Sequence, residues 1–253
     1  MLIDVHCHLD HEAFSKDVNE VVKKDMIIVS AGTNHESNLN VLKLSKRYEN
    51  VKASLGLYPL DAVNMSDKEI DDEINFIKKN GKDIISVGEV GLDFKEGKDD
   101  RQVRILTKII NELKHLNKPF VVHSRNAEEE CVELFEKLNV KKVVFHCFQG
   151  KFSLVKQIEK NNWMISIPCI VKRSKHFQKI ALEVKAPQLL TETDSPFLSA
   201  DIGKRNEPFF VGETIKIISD IKHIEKNKLE KILFDNYKKT FVNRKIFKQV
   251  LLL

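Results

Sequence analysis

The chain has 253 residues, of which 42% are hydrophobic and 31% charged, with a formal net charge of +5. That balance suits a globular chain with a sizeable core, and no stretch approaches the roughly 18 uninterrupted apolar residues of a membrane span. The positive excess, with a sequence pI near 8.8, is compatible with a polyanionic partner, but it is small for this length and is also what a Lys-rich solubilising surface gives.

In chain order, residues 2–5 open as a strand in which Ile3, Val5 and Cys7 fall on one face and Asp4, His6 and His8 on the other. Two imidazoles two residues apart at a strand end can reach one metal ion, although a lone His-x-His is as easily a pair of satisfied core histidines. β-Branched runs recur at 26–30, 51–54, 84–87, 120–123, 142–146, 163–167 and 188–190. Between them lie helix-period segments at 18–24, 37–48, 68–79, 101–116, 128–138, 151–160 and 175–184. Within 101–116, Val103, Leu106, Ile109, Ile110, Leu113 and Leu116 follow the 3, 4 spacing of one buried helix face. A last helix is predicted over 226–253, packed outside the rest through Leu229, Ile232, Leu233 and Phe241.

Strand–helix alternation of this rhythm over about 250 residues predicts an α/β fold, a (β/α)8 TIM barrel, as a single domain over 1–253. A doubly wound open sheet is the alternative, but no Gly-rich phosphate loop follows the first strand. Cys7, Cys131, Cys147 and Cys169 are scattered without a Cys-x-x-Cys pair, which argues against a disulfide framework and a cysteine zinc ribbon. The N-terminus has no basic segment, apolar run and cleavage site in succession, so a cytoplasmic protein is expected.

In such barrels the active site is built where the strands end, and the polar outliers of this sequence sit there. Strand one ends in His6 and His8. Glu89 follows strand four between Gly88 and Gly91, where the backbone is expected to turn tightly and leave the carboxylate facing the barrel axis. Strands five and six are apolar runs ending in His123 and His146, costly places to leave an imidazole without a partner. After strand eight, Glu192 and Asp194 alternate to the same face. Each residue alone has a bland reading as a core histidine or a turn acid. Together they are a nitrogen/oxygen ligand set for divalent ions such as Zn, Mn or Mg. The set is too large for one four-coordinate ion and is better used by two ions bridged by a carboxylate.

The sequence resembles the TatD family of metal-dependent hydrolases, a branch of the amidohydrolase-like TIM barrels. The resemblance rests on Asp4-Val5-His6-Cys7-His8-Leu9-Asp10, Gly88-Glu89-Val90-Gly91-Leu92-Asp93, Pro119 with His123-Ser124-Arg125, His146-Cys147-Phe148, Thr191-Glu192-Thr193-Asp194-Ser195-Pro196 and Gly203-Lys204-Arg205-Asn206-Glu207-Pro208. It implies a cytoplasmic nuclease or phosphodiesterase acting on DNA with divalent metals, a 3′–5′ exonuclease in DNA repair or degradation. It further implies His6, His8, Glu89 and Asp194 at one metal, and His123 and His146 at a second that Glu89 bridges. Glu192 joins Asp194 at a third, weaker ion. One departure is Gly56-Leu57-Tyr58-Pro59 where many members carry Gly-x-His-Pro.

Phosphodiester hydrolysis needs a nucleophile at neutral pH, which a metal-activated water supplies; Asp194 is the candidate base, with Glu89 beside it in the catalytic set. Arg125, Arg205 and Lys204 are candidate phosphate-binding residues; Lys204 is equally readable as part of a solvated basic loop, whereas for Arg205 phosphate binding is the better of the two readings. Asn206-Glu207-Pro208 reads as a helix start. Phe148, Phe197 and Trp163 could stack on bases, although Trp163 at a strand start suits the core better. The alternatives are a hydrolase of a small amide, lactone or phosphoester on the same scaffold, and a non-catalytic nucleic-acid binder. The expected partner is DNA, with no membrane and a monomer as the default assembly.

Overall fold

The computed structural model describes residues 1–23 and 25–242. Eight strands form one parallel sheet in sequence order: β1 (Leu2–Cys7), β2 (Met26–Ala31), β3 (Val51–Leu55), β4 (Ile84–Asp93), β5 (Phe120–Arg125), β6 (Val143–Phe145), β7 (Met164–Ile167) and β8 (Leu189–Thr191). The helices between them are α1 (Val18–Val21), α2 (His35–Arg47), α3 (Pro59–Ala62), α4 (Asp67–Lys79), α5 (Asp100–Leu113), α6 (Glu128–Lys137), α7 (Phe152–Lys160) and α8 (Lys175–Glu183), followed by α9 (Val211–Lys222) and α10 (Lys226–Phe241). The sheet curls into a nearly closed barrel with the helices outside it, the TIM architecture expected from the alternation. Among the described residues no helix is long and apolar enough to cross a membrane.

Local sequence accounts for the elements. Ser66 and Glu69 form a reciprocal capping box that starts α4. In α5 the side chains of Ile105, Leu106, Ile109, Ile110 and Leu113 are buried against the sheet, the face its spacing marks. Ile3, Val5, Val29, Val121, Val144, Met164 and Leu190, with Ile85 packed on them, form one cluster. Residues contributed by seven strands can meet only inside the barrel. Tyr237 and Phe241 belong to that same cluster, so the last turns of α10, a helix expected outside the barrel, also set two side chains against the interior residues. The rest of the helix foreseen to 253, and Lys24 of the one foreseen over 18–24, lie outside the described residues.

Strict alternation fails on β1. The β1–β2 register shifts between Asp4 and Cys7, and Cys7 joins an outer cluster with Leu9, Phe14 and Ile28 rather than the interior cluster of Ile3 and Val5. A second shift falls between Val87 and Val90 on β4. Irregularities of this kind re-aim side chains near functional sites, and the two bracket His6 and Glu89.

The join between β8 and β1 differs from the seven ladder-paired strand neighbours. There Thr191 Oγ1 donates to Ile3 O at 3.3 Å, Asp194 N to His6 O at 2.9 Å and His8 N to Ser195 O at 2.7 Å. Asp4, expected beside the histidines, instead accepts from Thr193 N–H at 3.0 Å and from the Thr193 hydroxyl.

Candidate metal centre

β4 does not end at Val87 but runs on to Asp93, so Glu89 lies within a strand and not in the tight turn its glycines suggest. The glycines serve close approach. A Cβ at Gly88 would lie 2.7 Å from the Val121 side chain, and one at Gly91 would lie 1.8 Å from His123 O. Bare backbone at both positions lets β4 lie against β5 and brings Glu89 to His123.

Glu89, only 3% exposed, is the centre of the site. Its Oε2 lies 3.6 Å from His6 Nε2 and 3.6 Å from His8 Nε2, while its Oε1 lies 2.9 Å from His123 Nδ1 and 3.0 Å from His146 Nε2. Asp194 Oδ1 adds contacts of 3.5 Å to His6 Nε2 and 3.3 Å to His8 Nε2. Ligand atoms bonded at about 2.0–2.2 Å around a tetrahedral ion are separated by roughly 3.3–3.6 Å, and the separations around His6, His8, Glu89 and Asp194 fall there. His6 Nε2 is buried without a hydrogen-bond partner, an unfavourable state that an ion at that atom would relieve. His6–His8–Glu89, His6–His146–Asp194 and Glu89–His123–His146 are the groups of side chains that could hold a metal among the described residues. The donor set fits divalent ions.

Outer partners fix the rings. His8 Nδ1 donates to Ala31 O at 3.0 Å, leaving Nε2 for the site. His123 Nε2 lies 3.0 Å from Asp93 Oδ2, leaving Nδ1. Tyr58 OH donates to the same Asp93 oxygen at 3.0 Å, and Gln102 brackets the Asp93 backbone at 2.7 and 2.9 Å. Asp93 received no role from the sequence. Its signal was there: residues 89, 91 and 93 alternate on one face once β4 is carried past Val87. Such carboxylate–histidine pairs orient the ligand. Asp93→Asn is expected to weaken metal affinity about 10–100-fold, and Tyr58→Phe by less, since it acts one bond further out. Competition against a chelating dye measures both, and an unchanged affinity in Asp93→Asn would remove Asp93 from this role.

Electrostatics follow the geometry. Burial alone would raise Glu89, but His146, His123 and His6 hold it well below the usual carboxylate range; burial would likewise raise Asp194, but His6 and His8 overcome it and hold the carboxyl well below its ordinary value. Burial would lower His8, yet Asp194 and Glu89 push it up to about 9. An ion taking His8 Nε2 therefore expels a proton at neutral pH. Apparent metal affinity is expected to rise with pH through the neutral range by at least about tenfold per unit, since His8 must lose a proton and His123 and His146 are raised as well. The chelated protein runs the other way. A pKa raised above its ordinary 6.5 gives stability that is complete below 6.5 and lost as pH rises through about 9. Melts of chelated and metal-loaded protein across that window should show opposite slopes; parallel slopes would overturn the assignment.

The structure brings His6, His8, Glu89, His123, His146 and Asp194 together. Glu192 belongs to none of the three ligand groups: its oxygens accept from Cys147 N–H at 2.7 Å and from the Ser166 hydroxyl, and it stands 3.8 Å behind His146 Nδ1. Arg125 is exposed and lines the adjoining cavity of about 580 Å³. Arg205 does not reach it. Its guanidinium is committed to Asp17 at 2.6 and 2.9 Å, to Glu207 at 2.8 Å and to Ala13 O at 2.6 Å, and it lies over the Phe14 ring. Lys204 is exposed, 3.6 Å from Asp201, and also lines no part of the cavity. Asn206-Glu207-Pro208, read as a helix start, does lead into a 3-10 turn, Pro208–Phe210, ahead of α9; Asn206 in addition pins the Asp194 loop by donating to Thr193 O and Phe197 O, both at 2.8 Å. Phe148 and Trp163 are buried in the core, whereas Phe197 is 49% exposed at the cavity.

Comparison with known proteins places the chain in a family. A family model described as TatD related DNase matches residues 3–242. An uncharacterized metal-dependent hydrolase of Methanocaldococcus jannaschii is 36% identical over 247 residues, covering 96% of this chain and 97% of that one. Deoxyribonuclease TATDN3 of Homo sapiens is 29% identical over 259 residues, covering 95% and 94%. Among solved structures, the TatD homolog YJJV from Escherichia coli K12 superposes with a TM-score of 0.88 at 22% identity, covering 95% of this chain and 97% of its own, a likeness of fold. With the match running from β1 through α10, this chain belongs to the TatD-related DNase family and is a metal-dependent hydrolase.

Proposed function

We propose that this hydrolase cleaves phosphodiester bonds of DNA, removing nucleotides from a 3′ end in a cytoplasmic repair or degradation context. The observation that carries the reading is the division of Glu89, whose two oxygens face two different histidine pairs. His6, His8, Asp194 and Glu89 Oε2 would hold one divalent ion; His123, His146 and Glu89 Oε1 would hold the other. Such ions, when bound, lower the pKa of water to about 7 and stabilise charge on phosphoryl oxygens; Mg, Mn and Zn all suit these donors.

The chain's own residues supply the rest. Asp194 lines the cavity and is held ionised by His6 and His8, so its free oxygen accepts the proton of the attacking water. Arg125, with no ion pair among the described residues, binds a non-bridging phosphate oxygen through two N–H groups. Phe197, edge-on to His8 and His11, offers a ring face to the adjoining base. Apart from histidines, Arg125 is the one cation among the lining residues, which include Asp10, Asp61 and Glu128. A wall of this charge engages one phosphate and repels a long backbone, which favours a strand end over an internal site.

The same acidic wall favours a second reading, hydrolysis of a small phosphoester, amide or lactone. Labelled single-stranded oligonucleotides with Mg or Mn decide between them. Stepwise loss of 3′ nucleotides that disappears in Asp194→Asn supports the nuclease; intact DNA alongside turnover of a small ester selects the alternative.

A further inference from the structure

A second cavity, of about 170 Å³, opens at the other end of the barrel, where β5 and β6 begin. Lys114, Lys118, Lys141 and Lys142 line it with Asn117 and Asn139, and no acidic residue does. The placement follows from sequence and register. Lys118 precedes β5 and Lys142 precedes β6, and Phe120 pairs with Val143, so the two approaches lie side by side. Asn117 and Asn139 each take a left-handed φ of 55°, which lets each chain double back from its helix into its strand.

The fold accounts for two of the four lysines. Lys114 is the residue that ends α5 and donates to Asn111 Oδ1 at 3.2 Å; Lys141 follows α6 and donates to Asn139 Oδ1. Both are exposed near helix C-termini, where cations are favoured. Lys118 and Lys142 are different. Both are half-buried, and among the described residues none of the four lysines forms an ion pair. Lys118 Nζ donates only to Ile84 O, at 2.7 Å, and burial together with the Lys142 charge pushes its pKa down. Two like charges drawn into one cavity without a counter-ion are unfavourable unless something anionic joins them.

We propose that this cavity is a binding site for a phosphate group, at the end of the barrel opposite the metal centre. Four ammonium groups and two side-chain amides offer more positive charge and more donors than a single carboxylate can use, and they match a doubly charged tetrahedral oxyanion. The phosphate arrives either as a free anion or carried on a nucleotide or a nucleic-acid strand.

The chain contains its own reporter. Its single tryptophan, Trp163, is 2% exposed and donates from Nε1 to Val140 O at 3.1 Å, and Val140 is part of the cavity wall. Its fluorescence therefore reads this cavity and not the histidine cluster. Metal-loaded protein is titrated with inorganic phosphate, a nucleoside 5′-monophosphate and a short oligonucleotide with hydrolysis-resistant phosphorothioate linkages, each against sodium chloride of equal ionic strength. A saturable change is expected, with a midpoint weakened about tenfold or more in the Lys118→Gln/Lys142→Gln double variant. Lys142→Gln alone, which keeps the bond from Lys118 to Ile84 O, shifts the midpoint in the same direction by less. A tighter midpoint for the oligonucleotide assigns the phosphate to a strand; equal midpoints assign it to the free group. No saturable change with any of the three, equal midpoints in wild type and variants, or reproduction of the signal by chloride overturns the proposal.

Discussion

Glu89→Gln is expected to leave the protein with about one divalent ion fewer per chain and to take turnover to background. The carboxylate is buried, with each oxygen turned to a different pair of imidazoles. A glutamine keeps the shape but offers one acceptor and no charge, so one histidine pair would meet an NH2 group where it needs an oxygen. The chelated protein suffers as well, because Glu89 is a counter-charge for His8, His123 and His146, all of which are raised. Removing one partner of such a buried arrangement costs about 3 kcal/mol. Elemental analysis and melts of the chelated protein measure the two effects separately. Full metal content with full activity in Glu89→Gln would falsify the central role given to this residue.

Asp194→Asn produces a different pattern. Turnover should fall by about 10²–10⁴-fold, while metal content declines far less than in Glu89→Gln. The amide oxygen can still face His6 and His8, and the bond from Asp194 N to His6 O does not depend on the side chain. What is lost is an ionised group able to accept a proton. Metal content and single-turnover rates on the same samples separate the two residues. If Asp194→Asn lost its ions as completely as Glu89→Gln, Asp194 would be a ligand only, and the base would have to be sought elsewhere on the cavity wall.

The barrel and the ligand cluster were legible because both depend on patterns local to a strand: an apolar run, then a histidine or an acid at its C-terminal end. Where the pattern was local but irregular, it misled. Cys7 left the face of Ile3 and Val5 because of a register shift, and Glu89 seemed to sit in a turn because its glycines serve contact with β5. Long-range partners were not legible at all. Arg205 stands among basic residues in sequence, and only folding brings Asp17 to it from 188 positions away. Asp93 and Tyr58 meet His123 across three strands' worth of chain, and Lys118 and Lys142 become neighbours only through the pairing of β5 with β6.

The join between β8 and β1 has a consequence for the lifetime of the molecule. His6 and His8 stand on one side of it and Asp194 on the other, so an ion shared by the three would fasten the ring where ladder pairing is absent. Without that ion the strands there would be joined by a few hydrogen bonds, the Asp4–Thr193 contact and the packing of α10 against both strands, and local opening draws on the least stable part of a fold. A chelator is then expected to do more than inhibit: limited proteolysis of chelated protein should cut sooner than that of metal-loaded protein, and equal cleavage rates would deny the ion this fastening role.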